Sequence, residues 1–132
     1  MTYCVGVILD SGMIFASDSR THEEVDDFAK FYKMAVFERA GDRVIVLLSS
    51  GSLAGTQAVI SLLKQRADTA GDALTLWNAQ TMFDVANVVA DAMRDIERRD
   101  GRYLADNAIR FNASLIVGGQ IRGEASRLFR IY

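Results

Sequence analysis

The sequence predicts a layered α+β domain in which helices pack on one face of an antiparallel sheet. Apolar residues alternate with period two in short segments near both ends of the chain, a pattern typical of strands. Between these segments lie two longer stretches whose apolar residues recur with the period of a helix. Short turns containing Gly, Asp and Ser separate the strand segments and favour hairpins. We therefore expect four strands, two helices and two further strands in a single domain over residues 1–132.

The first two strands form a predicted hairpin. Alternation runs from Thr2 to Leu9, the turn Asp10-Ser11-Gly12 follows, and Met13–Ser17 is again apolar. If the turn is centred near residue 11, the numbers of paired residues add to about 21 or 22. Thr2 is therefore expected next to the segment that begins with Asp18.

A second strand pair is predicted at Lys33–Arg39 and Arg43–Ser49, joined by the turn Ala40-Gly41-Asp42. The acidic stretch Thr21–Asp27 has no periodicity and is interpreted as a loop. Ser50-Gly51-Ser52 ends the fourth strand and opens the first helix. Backbone N–H groups at such a junction point outward at the positive end of the helix dipole.

The two predicted helices run from Leu53 to about Arg66 and from Thr81 to about Arg99. The second opens on a capping-box-like Thr81-x-x-Asp84. We interpret the apolar stripes of both helices as core faces. They consist of Val59, Leu62 and Leu63 in the first helix and Met82, Val85, Val89, Met93 and Ile96 in the second. The last two strands are predicted at Phe111–Gly118 and Arg127–Tyr132.

Composition excludes several classes of function. Half of the residues are apolar and the formal net charge is −2, so a disordered chain is excluded and a nucleic-acid partner is not expected. The longest apolar run, Val44–Leu48, is far too short to cross a membrane, and the N-terminus lacks a signal-peptide pattern. We expect a cytoplasmic protein. One Cys and one His leave no internal disulfide and no metal-ligand cluster, so no metal or other cofactor is predicted.

The familiar nucleophile motifs are absent from the sequence, and a histidine base could come only from His22. A catalytic pair of Cys4 and His22 is an alternative that we consider weak, because a lone strand Cys is usually a small buried apolar residue. Thr2 offers another base. Removal of Met1 would expose its α-amine, which has an ordinary pKa of about 7.7 to 8.0 and accepts a proton near neutral pH. Hydroxyl and base would then belong to one residue.

Three segments carry a family resemblance: MTYCVGVILDSGMIFASDSRTH, FYKMAVFE and VLLSSGSLAGTQAV. They resemble the N-terminal threonine hydrolases of the proteasome β-subunit and HslV type, and most closely the bacterial Anbu family. The run ASDSR is the most specific part. The junction Ser-Ser-Gly-Ser departs from the more usual Ala-Gly-Gly but retains Gly51. The resemblance implies a four-layer αββα sandwich, of which the C-terminal part is expected to be absent from this chain, and subunits that assemble into homo-oligomeric rings or helical stacks.

The resemblance also implies roles for individual residues. Thr2 would be the nucleophile, Lys33 and Asp18 its charged supports, and the Gly51 N–H the oxyanion donor. A peptide or unfolded protein would be the substrate, bound as an added strand. The expected substrate-binding residues are Thr21, His22, Ser49 and Leu53. The resemblance leaves open an ATPase or accessory partner.

Two alternatives remain at this stage. One is a non-catalytic subunit that keeps the fold and the assembly; the other is an amide hydrolase that acts on a small non-peptide substrate. The state of residue 1 separates the first alternative from a peptidase, because a retained Met1 would block the α-amine.

Overall fold

The computed structural model describes residues 2–19, 32–69 and 71–132. Within them, strands and helices follow each other in the predicted order. The elements are β1 (Cys4–Leu9), β2 (Gly12–Ser17), β3 (Met34–Arg39), β4 (Arg43–Gly51), α1 (Leu53–Asp68), α2 (Met82–Asp106), β5 (Ala113–Ile121) and β6 (Arg127–Ile131).

Strands β1 and β2 pair with each other as an antiparallel hairpin. The register joins Cys4 to Ser17 and Leu9 to Gly12, so the paired numbers add to 21, as the turn predicted. The pairing is continued beyond the strands, because the Asp18 N–H donates to the Tyr3 carbonyl at 3.0 Å. The predicted acidic loop at residues 21–27 lies outside the described residues.

The other four strands form one antiparallel sheet in the order β3-β4-β5-β6. Strand β5 follows both helices along the chain and returns to pair with β4 over the whole length from Arg43↔Ile121 to Gly51↔Ala113. This long pairing extends β4 two residues beyond its predicted end, and it starts β5 two residues later and ends it three residues later than predicted. Backbone hydrogen bonding to a distant partner sets these bounds, and local sequence does not encode it.

Helices α1 and α2 begin at capped positions. The Ser52 hydroxyl accepts from the Gly55 N–H at 3.3 Å, and the Thr81 hydroxyl accepts from the Asp84 N–H at 3.1 Å, which is the cap that the sequence predicted. Helix α2 continues past its predicted end at Arg99 to Asp106. It passes through Gly101, because one glycine costs a helix only about 1 kcal/mol and strong helix formers surround it.

Both helices cover one face of the four-stranded sheet and enclose the core. Every apolar residue that the sequence placed on the two helix stripes is buried, except Leu62, which is partly buried. The opposing sheet residues of this core include Phe37, Ile45, Leu47, Leu115 and Val117. No helix in the described part of the chain is long and apolar enough to cross a membrane.

The hairpin packs on the opposite face of the sheet. A Cβ at Gly118 would lie 2.6 Å from the ring tip of Phe15 and 2.8 Å from a methyl group of Leu128, so the absence of a side chain lets the two sheets approach. The outer face of the hairpin, which includes Val5 and Ile14, is exposed. The described residues therefore form three layers, helix, sheet and sheet, of the α+β architecture that the sequence predicted.

Candidate active site

Three of the predicted site residues meet at the end of the hairpin. The Lys33 Nζ lies 2.7 Å from Asp18 Oδ2 and 3.2 Å from Thr2 Oγ1. Lys33 is a buried side chain, with 7% of its surface exposed. A buried ammonium group requires an anionic or strongly polar partner, and Asp18 supplies it. The cluster thus places a cation in contact with the Thr2 hydroxyl.

The hairpin holds Asp18 in this position. The Tyr3 N–H donates to Asp18 Oδ1 at 3.0 Å, while the Asp18 N–H donates to the Tyr3 carbonyl at the same distance. One carboxylate oxygen is therefore used by the backbone next to Thr2, and the other by Lys33. This reciprocal pair fixes the carboxylate beside the start of β1.

The fourth strand holds Lys33 from the other side. The Ser49 N–H and the Ser49 hydroxyl both donate to the Lys33 carbonyl, at 2.8 and 3.2 Å. Ser49 is itself buried, so the bond is shielded from water. Ser49 thus anchors the backbone of Lys33, and its predicted role in substrate binding stays a prediction.

The charge state of the cluster follows from these contacts. The hydrogen bond from Lys33 and, next, the bond from the Tyr3 N–H hold the pKa of the Asp18 carboxyl below its ordinary value of 3.8. Asp18 is therefore ionised at neutral pH and is the counter-ion of the ammonium group.

Cys4 lies next to the cluster but is not suited to be a nucleophile. Partial burial, followed by the negative charge of Asp18, raises the pKa of its thiol above the ordinary value, and Lys33 opposes this only in part. Its Sγ donates to the Ser49 carbonyl at 3.5 Å. A protonated thiol is a poor nucleophile. The alternative base, His22, lies outside the described residues.

A cleft opens beside Thr2, between the hairpin and the four-stranded sheet. We call it the Thr2 cleft; it has a volume of about 240 Å³. One wall comes from β4, β5 and β6, whose paired residues point to the same face of the sheet, and the other comes from the start of the hairpin. The lining residues are Thr2, Cys4, Leu48, Ser50, Ser114, Ile116 and Arg130.

Gly51 follows Ser50, which lines the Thr2 cleft. Its φ is +99°, and a Cβ there would lie 2.3 Å from the Asn112 carbonyl oxygen. The same oxygen accepts from the Ser52 N–H at 2.6 Å. Only glycine fits this turn from strand to helix without strain. The predicted oxyanion donor is thus held in a defined backbone conformation at the junction.

The remaining predicted residues are not brought to the cluster by the described contacts. Leu53 is the first residue of α1 and is half-buried, and it does not line the Thr2 cleft. Thr21 and His22 lie outside the described residues. The substrate-binding roles of these three residues stay predictions.

The sequence reasoning did not identify Ser50, Ser114 and Arg130 as cleft residues. Ser50 pairs with Ser114, and Ile116 pairs with Arg130. These pairings of β4 with β5 and of β5 with β6 join distant segments, so no local sequence pattern could have placed the three residues together. No group of three or more Cys, His, Asp or Glu side chains in residues 2–19, 32–69 and 71–132 is arranged to hold a metal ion.

The chain has the sheets and helices of a proteasome-related, β-subunit-like protein. A threonine at the start of its first strand lies beside an aspartate–lysine pair. Anbu from Pseudomonas aeruginosa, in a helical assembly, is 40% identical with a TM-score of 0.88. Anbu from Yersinia bercovieri is 40% identical with a TM-score of 0.85. A Gly-1 mutant of Anbu from Hyphomicrobium sp. strain MC1 is 42% identical with a TM-score of 0.82. The resemblance to Anbu is therefore confirmed.

The similarity extends over nearly the whole chain. The three structures cover 98%, 98% and 100% of it, while the chain covers 52% of each of them. The chain thus spans about half the length of these Anbu proteins. No protein-family model matches the sequence, and no curated protein matches it.

Proposed function

We propose that the chain carries the nucleophile of a threonine peptidase, which is exposed by removal of Met1. The contact that supports this most strongly is the one between Lys33 Nζ and Thr2 Oγ1, at 3.2 Å, with Asp18 holding the same ammonium group at 2.7 Å. A hydroxyl beside a fixed cation gains acidity, because the alkoxide is stabilised relative to the alcohol.

In the first step, Thr2 Oγ1 attacks the carbonyl carbon of a peptide bond. Its proton passes to the neutral α-amine of Thr2, directly or through one water molecule. Lys33 remains an ammonium group and stabilises the developing negative charge on Oγ1. Asp18 balances Lys33 and does not take the proton, since its lowered pKa makes it a weak base.

The carbonyl oxygen becomes an oxyanion when the Thr2 oxygen adds to the carbon. The Gly51 N–H donates to this oxygen, and one such donor typically lowers the barrier by about 3 to 4 kcal/mol. The fixed φ of Gly51, at +99°, means that the donor is oriented before the reaction and needs no reorganisation during it.

The acyl-enzyme then forms and is hydrolysed. The carbon–nitrogen bond breaks as the ammonium group of Thr2 returns its proton to the leaving amine. Water attacks the remaining ester of Thr2, with the α-amine again accepting a proton. The ester carbon–oxygen bond then breaks, the α-amine returns this proton to Thr2 Oγ1, and the carboxylic acid leaves. No cofactor is needed, because residue 2 supplies both the nucleophile and the base.

Substrate binding and assembly belong to the same proposal. We propose that an extended peptide binds between the segment of Thr21 and His22 and the junction at Gly51, through backbone hydrogen bonds. We further propose that residues 1–132 act as part of one domain and that copies of the protein assemble with each other. The helical assembly of the Pseudomonas aeruginosa Anbu complex supports this last point.

Hydrolysis of peptides tests the proposal. Purified protein is incubated with a mixture of unstructured peptides, and the products are identified by mass spectrometry. We expect Thr2→Ala to reduce cleavage at least about a thousandfold, because both the attacking oxygen and its proton transfer are lost. Thr69→Ala is the matched control, since Thr69 is an exposed residue after α1 whose hydrogen bonds to described residues lie within its own helix end.

The two alternatives give different results. Equal cleavage by the protein and by Thr2→Ala contradicts the proposal. Complete absence of cleavage, with normal folding and assembly, supports a non-catalytic assembly subunit. Hydrolysis of small amides without cleavage of any peptide supports an amide hydrolase that acts on a small non-peptide substrate.

A further inference from the structure

One buried hydroxyl contacts the backbone of Lys33, and the proposed reaction does not use it. It belongs to Ser49, on β4, which is 4% exposed. We propose that Ser49 is a positioning residue, whose hydroxyl holds Lys33 where its ammonium group reaches the Thr2 hydroxyl and thereby sets the rate of attack. This inference rests on the proposed peptidase function and adds a residue to it.

Ser49 is a polar residue on the apolar face of β4. Side chains two residues apart on a strand point to the same face, so Ser49 shares its face with Leu47 and, through strand pairing, with Leu115. Both leucines are fully buried in the core. A hydroxyl in such surroundings is costly unless it is hydrogen-bonded. The Ser49 hydroxyl meets this requirement by donating to the Lys33 carbonyl at 3.2 Å.

The Lys33 carbonyl accepts from two donors of Ser49. The Ser49 N–H lies 2.8 Å from this oxygen and the hydroxyl lies 3.2 Å from it. The N–H bond continues the β3–β4 ladder, because the register that joins Met34 to Leu48 places Lys33 opposite Ser49. Any residue except proline would supply that N–H. The hydroxyl bond, in contrast, depends on the serine side chain.

Lys33 is thereby held both at its backbone and at its ammonium group. The backbone is bonded to Ser49, while Nζ is bonded to Asp18 at 2.7 Å and to Thr2 Oγ1 at 3.2 Å. A further contact joins Ser49 to the hairpin, since the Cys4 Sγ donates to the Ser49 carbonyl at 3.5 Å. Ser49 therefore fixes the backbone of Lys33 relative to the strand that follows Thr2.

Kinetics of Ser49→Ala measure what the hydroxyl contributes to the reaction. We expect kcat for a cleaved peptide to fall about tenfold while KM stays nearly unchanged, because the ammonium group acts on Thr2 during the attack. The loss is smaller than the roughly hundredfold cost of a 1 Å misplacement, since the N–H of residue 49 still holds Lys33. A raised KM with unchanged kcat would support direct substrate contact by Ser49 and overturn the inference.

Titration of Asp18 by NMR tests the same point without requiring catalysis. In Ser49→Ala, a displaced Lys33 holds the carboxylate less well, so the pKa of the Asp18 carboxyl should rise toward its ordinary value of 3.8. A loss of packing alone would lower the free energy of unfolding and leave this pKa unchanged. An Asp18 pKa that is the same in Ser49→Ala and in the parent protein would overturn the inference.

A second substitution separates the hydroxyl from the volume of the side chain. Ser49→Thr keeps the hydroxyl and introduces a residue that strands favour. It should recover most of kcat and restore the low pKa of Asp18. If both values in Ser49→Thr equal those in Ser49→Ala, the hydroxyl does not position Lys33 and the inference is wrong.

Thr75→Val is the matched control. It removes another buried hydroxyl, which accepts from the Trp77 N–H at 3.2 Å. Thr75 lies near the opposite end of β4, where Arg43 bonds the carbonyl of Leu76. The substitution should therefore lower the free energy of unfolding without changing kcat or the pKa of Asp18.

The same measurements distinguish failure of the peptidase from failure of the positioning role. If the parent protein cleaves no peptide while the pKa of Asp18 rises in Ser49→Ala, the peptidase proposal is wrong and Ser49 still positions Lys33. Peptide cleavage in which Ser49→Ala changes neither kcat nor the pKa of Asp18 contradicts only the role of Ser49.

Discussion

At the scale of single residues, the proposed chemistry depends on one buried lysine. Lys33 is 7% exposed, and its charge is held by Asp18 and directed at the Thr2 hydroxyl. The pair contributes stability above the ordinary carboxyl pKa, and this contribution is lost as the pH falls through the lowered pKa of the folded protein. The pH at which Asp18 takes up a proton therefore measures how strongly Lys33 holds its carboxylate.

Replacing Lys33 by methionine should raise the pKa of Asp18 toward its ordinary value of 3.8. The Tyr3 N–H still donates to the carboxylate, so the return is incomplete. A pH titration of the Asp18 carboxyl carbon by NMR measures the change. Lys64→Met, on the exposed side of α1, is the control and should leave the pKa of Asp18 unchanged. An unchanged value in Lys33→Met would contradict the ion pair.

At the scale of elements, the junction between β4 and α1 is the most constrained part of the site. Gly51 combines a φ of +99° with close contact to the Asn112 carbonyl, whereas Gly41 combines a φ of +77° with open space. A substitution at Gly41 therefore tests the cost of the backbone conformation alone, and a substitution at Gly51 adds the cost of a steric clash.

Gly51→Ala should destabilise the protein clearly more than Gly41→Ala. The Gly41 substitution carries only the cost of a left-handed conformation, about 1 to 2 kcal/mol. The Gly51 substitution adds a clash with backbone, which cannot move aside as a flexible side chain does. Urea unfolding of both variants measures the difference, and equal losses of stability would show that Asn112 does not confine the junction.

The packing of the hairpin on the sheet depends on another glycine. Gly118→Ala should destabilise the fold by about 1 to 3 kcal/mol, the usual cost of overpacking a close contact. Phe15→Leu in the same chain should recover much of the loss, because it removes the ring tip that the new Cβ meets. A double-mutant cycle of unfolding free energies measures the coupling. Additive effects would contradict direct packing of Phe15 on Gly118.

At the scale of the whole molecule, the helices support the site without lining the Thr2 cleft. They bury one face of the four-stranded sheet, and the sheet carries the hairpin on its other face. Arg43 ties the segment between the helices to the sheet, with Nη1 donating to the carbonyls of Leu76 and Ala79 at 2.9 and 2.8 Å. Within the described residues, the core thus supports the cluster of Thr2, Asp18 and Lys33 through the alignment of the strands.

The sequence predicted the parts of this arrangement that are local. The hairpin register follows from the turn near residue 11, and the helix cores follow from periodicity, because both patterns are contained within a few residues. The resemblance supplied the expected roles of Thr2, Asp18, Lys33 and Gly51 in one site. Arg130 was not predicted, since its position depends on two successive long-range strand pairings. The end of α2 was also missed, because a single glycine costs a helix only about 1 kcal/mol and does not stop it.

The central claim is that Thr2 becomes an N-terminal nucleophile beside Lys33. Intact mass spectrometry, before and after exposure to an electrophile that must react with both the hydroxyl and the α-amine of Thr2, tests it most directly. We predict loss of Met1 and formation of one adduct, which is absent in Thr2→Ala and slowed in Lys33→Met. Retention of Met1 with no adduct would contradict the claim.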